Sequence, residues 1–129
     1  MTKFFLYIQV FVFGNVVSLI NARSKNVLKF ILYPKKKTLK NGNFGCLLNL
    51  SDVIEKMPSW LVWNFNCYNR ALTGRWILNL NGIRSSLYLG FISSDKFQGD
   101  RLHSWLTTEY LDVCGYEIAY KYQVMTKYD

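Results

Sequence analysis

The chain has one histidine, His103, among its 129 residues. Any chemistry that needs an imidazole must use this one, and a site built from several histidines is excluded. Cysteine is nearly as sparse: Cys46, Cys67 and Cys114 are an odd number with no close spacing. Structural zinc needs four ligands, usually supplied as close pairs, so neither a metal site nor a cofactor is expected. The odd count also argues against a disulfide framework and favours a reducing, cytoplasmic setting. Acidic residues are few, 8 against 16 Lys and Arg, for a formal net charge of +8. That balance favours an anionic partner: nucleic acid, a membrane surface or an acidic peptide. The basic residues do not interleave with aromatics in any nucleic-acid motif, so a nucleic-acid partner is not expected. Internal repeats and low-complexity tracts are absent as well.

Apolar side chains are plentiful. Half the residues are hydrophobic and 17% are aromatic, which excludes disorder and calls for a packed interior in one compact domain. Residues 1–45 read as N-terminal apolar helices and a basic loop, and residues 46–129 as the core. Lys3, then the apolar runs Phe4 to Phe13 and Val16 to Ile20, have the shape of a signal peptide, with Ala22 at a cleavage site. Residues 4–20 are at the short edge for a spanning helix. A buried first helix or a membrane-surface helix explains them equally well. Lys35, Lys36, Lys37 and Lys40 sit among Pro34, Gly42 and Gly45, a loop that is either solvated or a docking surface for an acidic partner.

Further along, Ser51-Asp52 with Glu55 is a capping arrangement that opens a short helix, stopped by Pro58. Tyr68, Leu72, Trp76 and Leu80 fall four apart and predict a helix over 66–81 with one apolar face. Asn81-Gly82 ends it. Residues 83–92 are rich in branched and aromatic side chains and read as a strand. A polar loop follows, then a strand over 102–108, a turn at Glu109-Tyr110 and a returning strand over 111–118. The Tyr-rich tail from Ala119 is ambiguous. Helices first and an antiparallel sheet after them make an α+β fold.

Cys67 stands at the start of the 66–81 helix, where the unpaired amides and the helix dipole favour a thiolate. Asn66 is a suitable cap. A thiol and an imidazole are the minimum parts for cysteine nucleophilic catalysis, with His103 as the base. Taken singly, a lone cysteine or a lone histidine is more often a packed residue than a reactive one. Trp105 reads as core, two residues from His103 on the same face of its strand.

The ordered set Cys67-Tyr68-Asn69-Arg70-Ala71-Leu72, Asn81-Gly82-Ile83, Leu87-Tyr88-Leu89-Gly90-Phe91, Phe97 and His103-Ser104-Trp105-Leu106 resembles the transglutaminase-like leader peptidases of lasso-peptide biosynthesis, in their stand-alone form. The resemblance covers residues 50–124. It implies a papain/transglutaminase-like fold with the nucleophile at a helix N-terminus. It also implies a cysteine protease that removes the leader from a ribosomally made precursor, with Cys67 as nucleophile and His103 as base. The partners it implies are the precursor peptide, a separate leader-recognition protein and a macrocyclase.

The chain departs from that pattern at the third catalytic member. The family commonly places an Asp where Gly115 stands here, and a glycine has no side chain to orient an imidazole. A tight turn at Glu109-Tyr110 pairs His103 with about Tyr116, which puts residues 115 and 117 on one face beside it. Glu117 is therefore the expected orienting acid. Asp112 falls on the opposite face, and Glu109 lies at the far turn. A backbone carbonyl, an amide side chain or water are the alternatives.

Overall fold

A computed structural model describes residues 3–23, 29–33, 44–58, 60–63, 65–92, 102–109 and 111–129. The basic run at 35–40 and Phe97 lie outside the described residues. Four helices come first: α1 (Lys3–Arg23), α2 (Lys29–Leu32), α3 (Phe44–Lys56) and α4 (Cys67–Leu80). Three strands follow, β1 (Ser85–Phe91), β2 (Leu102–Thr108) and β3 (Asp112–Cys114). A 3-10 helix (Tyr116–Lys121) then leads into β4 (Gln123–Tyr128). The sheet is antiparallel, in the order β3-β2-β1-β4. The fold is α+β, helices before sheet.

The central element is α4. The expected apolar face is not its buried face: Leu72 is buried, Tyr68 and Trp76 are half-buried, and Leu80 is exposed. Instead Ala71, Leu72, Thr73, Gly74, Arg75, Ile77 and Leu78 are all buried, because α4 packs against α1, α3 and the inner face of the sheet at once. A helix covered on most sides needs no single stripe. Trp76 stacks on Phe13 of α1, centroids 4.3 Å apart, with Phe30 of α2 edge-on at 5.3 Å. Gly82, at φ 70°, ends the helix in the left-handed conformation expected of Asn81-Gly82.

Among the described residues one charged side chain, Arg75, lies wholly inside. Arg75 donates to the carbonyls of Ile31, Leu32, Ser85, Tyr128 and Asp129. It thereby joins α2, β1 and the end of β4 to the middle of α4. Burial pushes its pKa below the usual arginine value.

Two expectations are corrected, and an ambiguous segment is assigned. Ser51 and Asp52 do not cap a helix, because α3 begins at Phe44 and both lie inside it. The Ser51 hydroxyl instead donates to the carbonyl of Val113 at 2.7 Å. The return strand does not reach Ile118: β3 ends at Cys114, and Gly115, at φ 75°, turns the chain into the 3-10 helix. The tail from Gln123 is an edge strand paired with β1.

The apolar N-terminal segment is folded onto the domain. Leu6, Val10, Val17 and Ser18 are buried against the rest, Asn15 accepts the Trp63 amide at 3.0 Å, and Lys3 pairs with Asp52 of α3. The opposite side of α1 exposes Phe4, Phe5, Ile8, Phe11, Val12 and Leu19. By length and composition Lys3–Asn21 can also cross a membrane.

Candidate active site

Asn66 caps α4, its Oδ1 accepting the Asn69 amide at 2.9 Å. Cys67 is therefore the first helical residue, on the half-exposed rim, where the amides of the opening turn have no intrahelical partner and carry the positive end of the dipole. No acidic residue occupies that first turn. Arg70, one turn on, donates to the carbonyls of Ile54 and Met57 and lies 4.4 Å over the Phe65 ring. Burial lowers its pKa, opposed by Glu55, Cys114 and Cys67 nearby, so a guanidinium stands in the field of the thiol. Cys114 is buried, and burial pushes its thiol well above the ordinary range. It stays protonated. The side chain of Cys46 lies outside the described residues.

His103 lies at the start of β2, largely buried, on the face shared with Tyr88 and Trp105. Its ring stacks on Trp105 (centroids 5.8 Å apart) and tilts against Tyr122 (5.0 Å). Nε2 lies 2.7 Å from the carbonyl oxygen of Gly115. A carbonyl only accepts, so the network assigns the hydrogen to Nε2 and leaves the lone pair of the neutral ring on Nδ1. An orienting carboxylate would set the same tautomer.

The carbonyl reaches the ring because of the glycine. A Cβ at position 115 would lie 2.6 Å from the Ser104 carbonyl oxygen and 3.2 Å from His103 Nε2. With φ at 75°, any other residue would be both strained and crowded there. Position 115 thus supplies the acceptor through its main chain. Glu117, the acid expected from strand geometry, sits on the 3-10 helix, exposed, and makes no hydrogen bond with His103. The strand expected to carry it ends three residues earlier, at Cys114, and Glu117 instead lines a cavity beside His103. Glu55 of α3 went unread as a site residue: its carboxylate accepts the Gly115 amide at 3.0 Å. Nothing local in sequence links residues 55 and 115. Arg70 was legible in principle, one turn past Cys67 on the same helix face.

Cys67 and His103 line the same two cavities. The larger, about 670 Å³, is neutral and mostly apolar, walled by Asn21, Asn66, Tyr68, Leu89, Leu102 and Met125 beside the pair. The smaller, about 260 Å³, adds Glu55, Arg70, Gly115 and Glu117. No hydrogen bond joins the Cys67 thiol to the His103 ring. Such contacts commonly tighten only when substrate binds. Among the described residues no cluster of His, Cys, Asp or Glu is arranged to hold a metal ion.

This arrangement can form a thiolate, accept a carbonyl group in an open cleft and return a proton from an imidazole, the chemistry of acyl transfer through a thioester. Among curated proteins and solved structures nothing matches the chain. A family model described as "Transglutaminase-like superfamily" matches residues 37–126, from before α3 to within β4 and including both Cys67 and His103. The chain belongs to the transglutaminase-like superfamily.

Proposed function

We propose that the protein is a cysteine peptidase that removes the leader from a ribosomally made lasso-peptide precursor. The observation that carries the enzymatic part is the convergence of a capped-helix thiol, Cys67, and an imidazole held in one tautomer, His103, on one cavity. The finer reading rests on the ordered motifs from Cys67 to His103-Ser104-Trp105. Cys67 gives its proton to His103 and attacks the scissile carbonyl, with its own backbone amide among the oxyanion donors. The C–N bond breaks as the imidazolium protonates the leaving amine. Water then attacks the thioester, His103 takes its proton, and the Cys67 thiol is regenerated as the leader carboxylate departs. A neutral carbonyl steadies an imidazolium less than a carboxylate would, which lowers the rate without abolishing the chemistry.

In this reading a separate leader-recognition protein delivers the precursor and a macrocyclase consumes the freed core peptide, in a reducing cytoplasm that keeps Cys67 a thiol. Incubating the protein with precursor and leader-binding protein, and following cleavage by mass spectrometry, is the direct test. Loss of cleavage on Cys67→Ala is the expected result; unchanged processing would sink the proposal.

A second reading, a non-catalytic peptide-binding domain using the same cleft, draws on the missing acid and on the lack of a hydrogen bond between Cys67 and His103. It expects the precursor to bind wild type and Cys67→Ala alike, uncleaved by either.

A further inference from the structure

Helix α3 holds the end of β3 at two points. Ser51 donates to the Val113 carbonyl at 2.7 Å, and Glu55 accepts from the Gly115 amide at 3.0 Å. The spacings match: four residues along a helix rise about 6 Å, and two along a strand about 6.6 Å. The second point lies directly behind the atom that orients the imidazole, because the carbonyl of that same Gly115 accepts from His103 Nε2 at 2.7 Å. We propose that Glu55 is the positioning residue of this site, its carboxylate fixing Gly115 in the one backbone setting that holds His103 in its Nε2–H tautomer. The inference rests on the reading of His103 as the base, and it puts an acid one step behind the imidazole's acceptor, on a different element.

Gly115 needs such a tether. It is the hinge at which a three-residue strand, joined to β2 only through Leu106–Cys114 and Thr107–Asp112 across an irregularity, gives way to a 3-10 helix. A glycine in the left-handed region has more conformations to lose than any other residue. A side-chain oxygen carried at that reach by a helix holds its amide in place. Of the other polar side chains that line the smaller cavity, none makes a hydrogen bond to the ring. Arg70 is bound to the Ile54 and Met57 carbonyls, Cys114 is protonated, and Glu117 is exposed on the 3-10 helix. Tyr122 meets the ring by its face.

The single histidine makes the test direct, since the labelled protein has one imidazole whose ring nitrogen and carbon shifts report the tautomer. Two conservative variants separate reach from charge. Glu55→Gln keeps a carbonyl oxygen at the same distance but loses the charge; Glu55→Asp keeps the charge but is shorter by about 1.5 Å, one carbon–carbon bond. The proposal expects Glu55→Gln to retain the Nε2–H signature. It expects Glu55→Asp to show mixed tautomers and roughly tenfold slower cleavage at an unchanged fold, judged by circular dichroism. Glu55→Ala should match Glu55→Asp, and if it fails to fold the other two carry the test. A wild-type tautomer signature in Glu55→Asp would overturn the proposal. So would a Glu55→Gln variant whose tautomers are as mixed as those of Glu55→Asp. The tautomer measurement needs no substrate, so a failure of the peptidase reading would appear separately, as cleavage that survives Cys67→Ala.

Discussion

At the scale of single residues the site depends on a glycine and a thiol in contrasting environments. Gly115→Ala puts a Cβ 2.6 Å from the Ser104 carbonyl oxygen at a positive φ, which should destabilise the protein by about 2 kcal/mol and release His103 Nε2. Gly115→Asp meets the same obstacle and should not restore an acid to the imidazole. Thermal melts with histidine NMR would check both. The two thiols at the site should separate cleanly. Iodoacetamide at neutral pH is expected to label Cys67 at the helix end and spare Cys114, whose burial holds it protonated. Peptide mapping by mass spectrometry reads this, and rapid labelling of Cys114 in the folded protein would contradict the structure. His103→Gln is expected to lower precursor cleavage by about a thousandfold or more, measured as kcat/KM. Cys67 and His103 were legible as a candidate pair because a helix start and a strand start each leave a local signature. The orienting group was not, because a backbone carbonyl has no letter in a sequence.

Among the elements, α4 and its buried guanidinium hold most of the assembly together. Arg75→Met would leave the carbonyls of Ile31, Leu32, Ser85, Tyr128 and Asp129 without their donor. A loss of about 3 kcal/mol is expected, read as a fall in Tm of roughly 10 °C. Helix α1 is pinned to α3 by Asp52, which accepts from Lys3 and from Lys56 at 2.9 Å. These bonds lower the Asp52 pKa from 3.8, so their contribution is fully present above that value and is lost as pH falls below it. Melts of wild type and Asp52→Asn should therefore differ at neutral pH and converge under acid; a difference undiminished by acidification would refute the linkage. Strands β1 and β2 and helix α4 were readable from composition, period and end signals. Ser51 and Asp52 misled, because residues that cap helices also occur inside them when a tertiary partner such as the Val113 carbonyl takes the hydroxyl. The end of β3 was hidden for a related reason: Gly115 stops the strand by its φ, and Tyr116 to Ile118 still look like strand residues.

For the molecule as a whole the unbalanced feature is the outward side of α1. Phe4, Phe5, Ile8, Phe11, Val12 and Leu19 are exposed on a chain with a net charge of +8. An apolar helix face on a strongly basic protein suits the surface of an anionic membrane, which we infer to be the partner of residues 4–20. The protein is expected to co-sediment with vesicles rich in phosphatidylserine and less with zwitterionic ones. The double substitution Phe4→Ser and Phe11→Ser should weaken this roughly tenfold. Equal sedimentation of variant and wild type would rule the face out. Sequence left a signal peptide or anchor, a buried helix and a membrane-surface helix as alternatives for this segment. The structure gives α1 a buried side and an apolar exposed side, a division that a run of residues apolar on all sides cannot display.

The Gly115 carbonyl has a consequence for how such domains are sorted. Working and defunct copies of a thiol site are commonly told apart by whether the third position carries an acid or amide, and by that rule this chain falls among the defunct. The rule inspects a side chain, whereas here the acceptor is main chain and its requirement is a backbone angle. Alanine scanning of Asp, Glu, Asn and Gln would find Glu55, which tethers that acceptor, and miss the carbonyl itself. A sounder criterion asks whether anything, side chain or peptide, accepts from the far nitrogen of the imidazole.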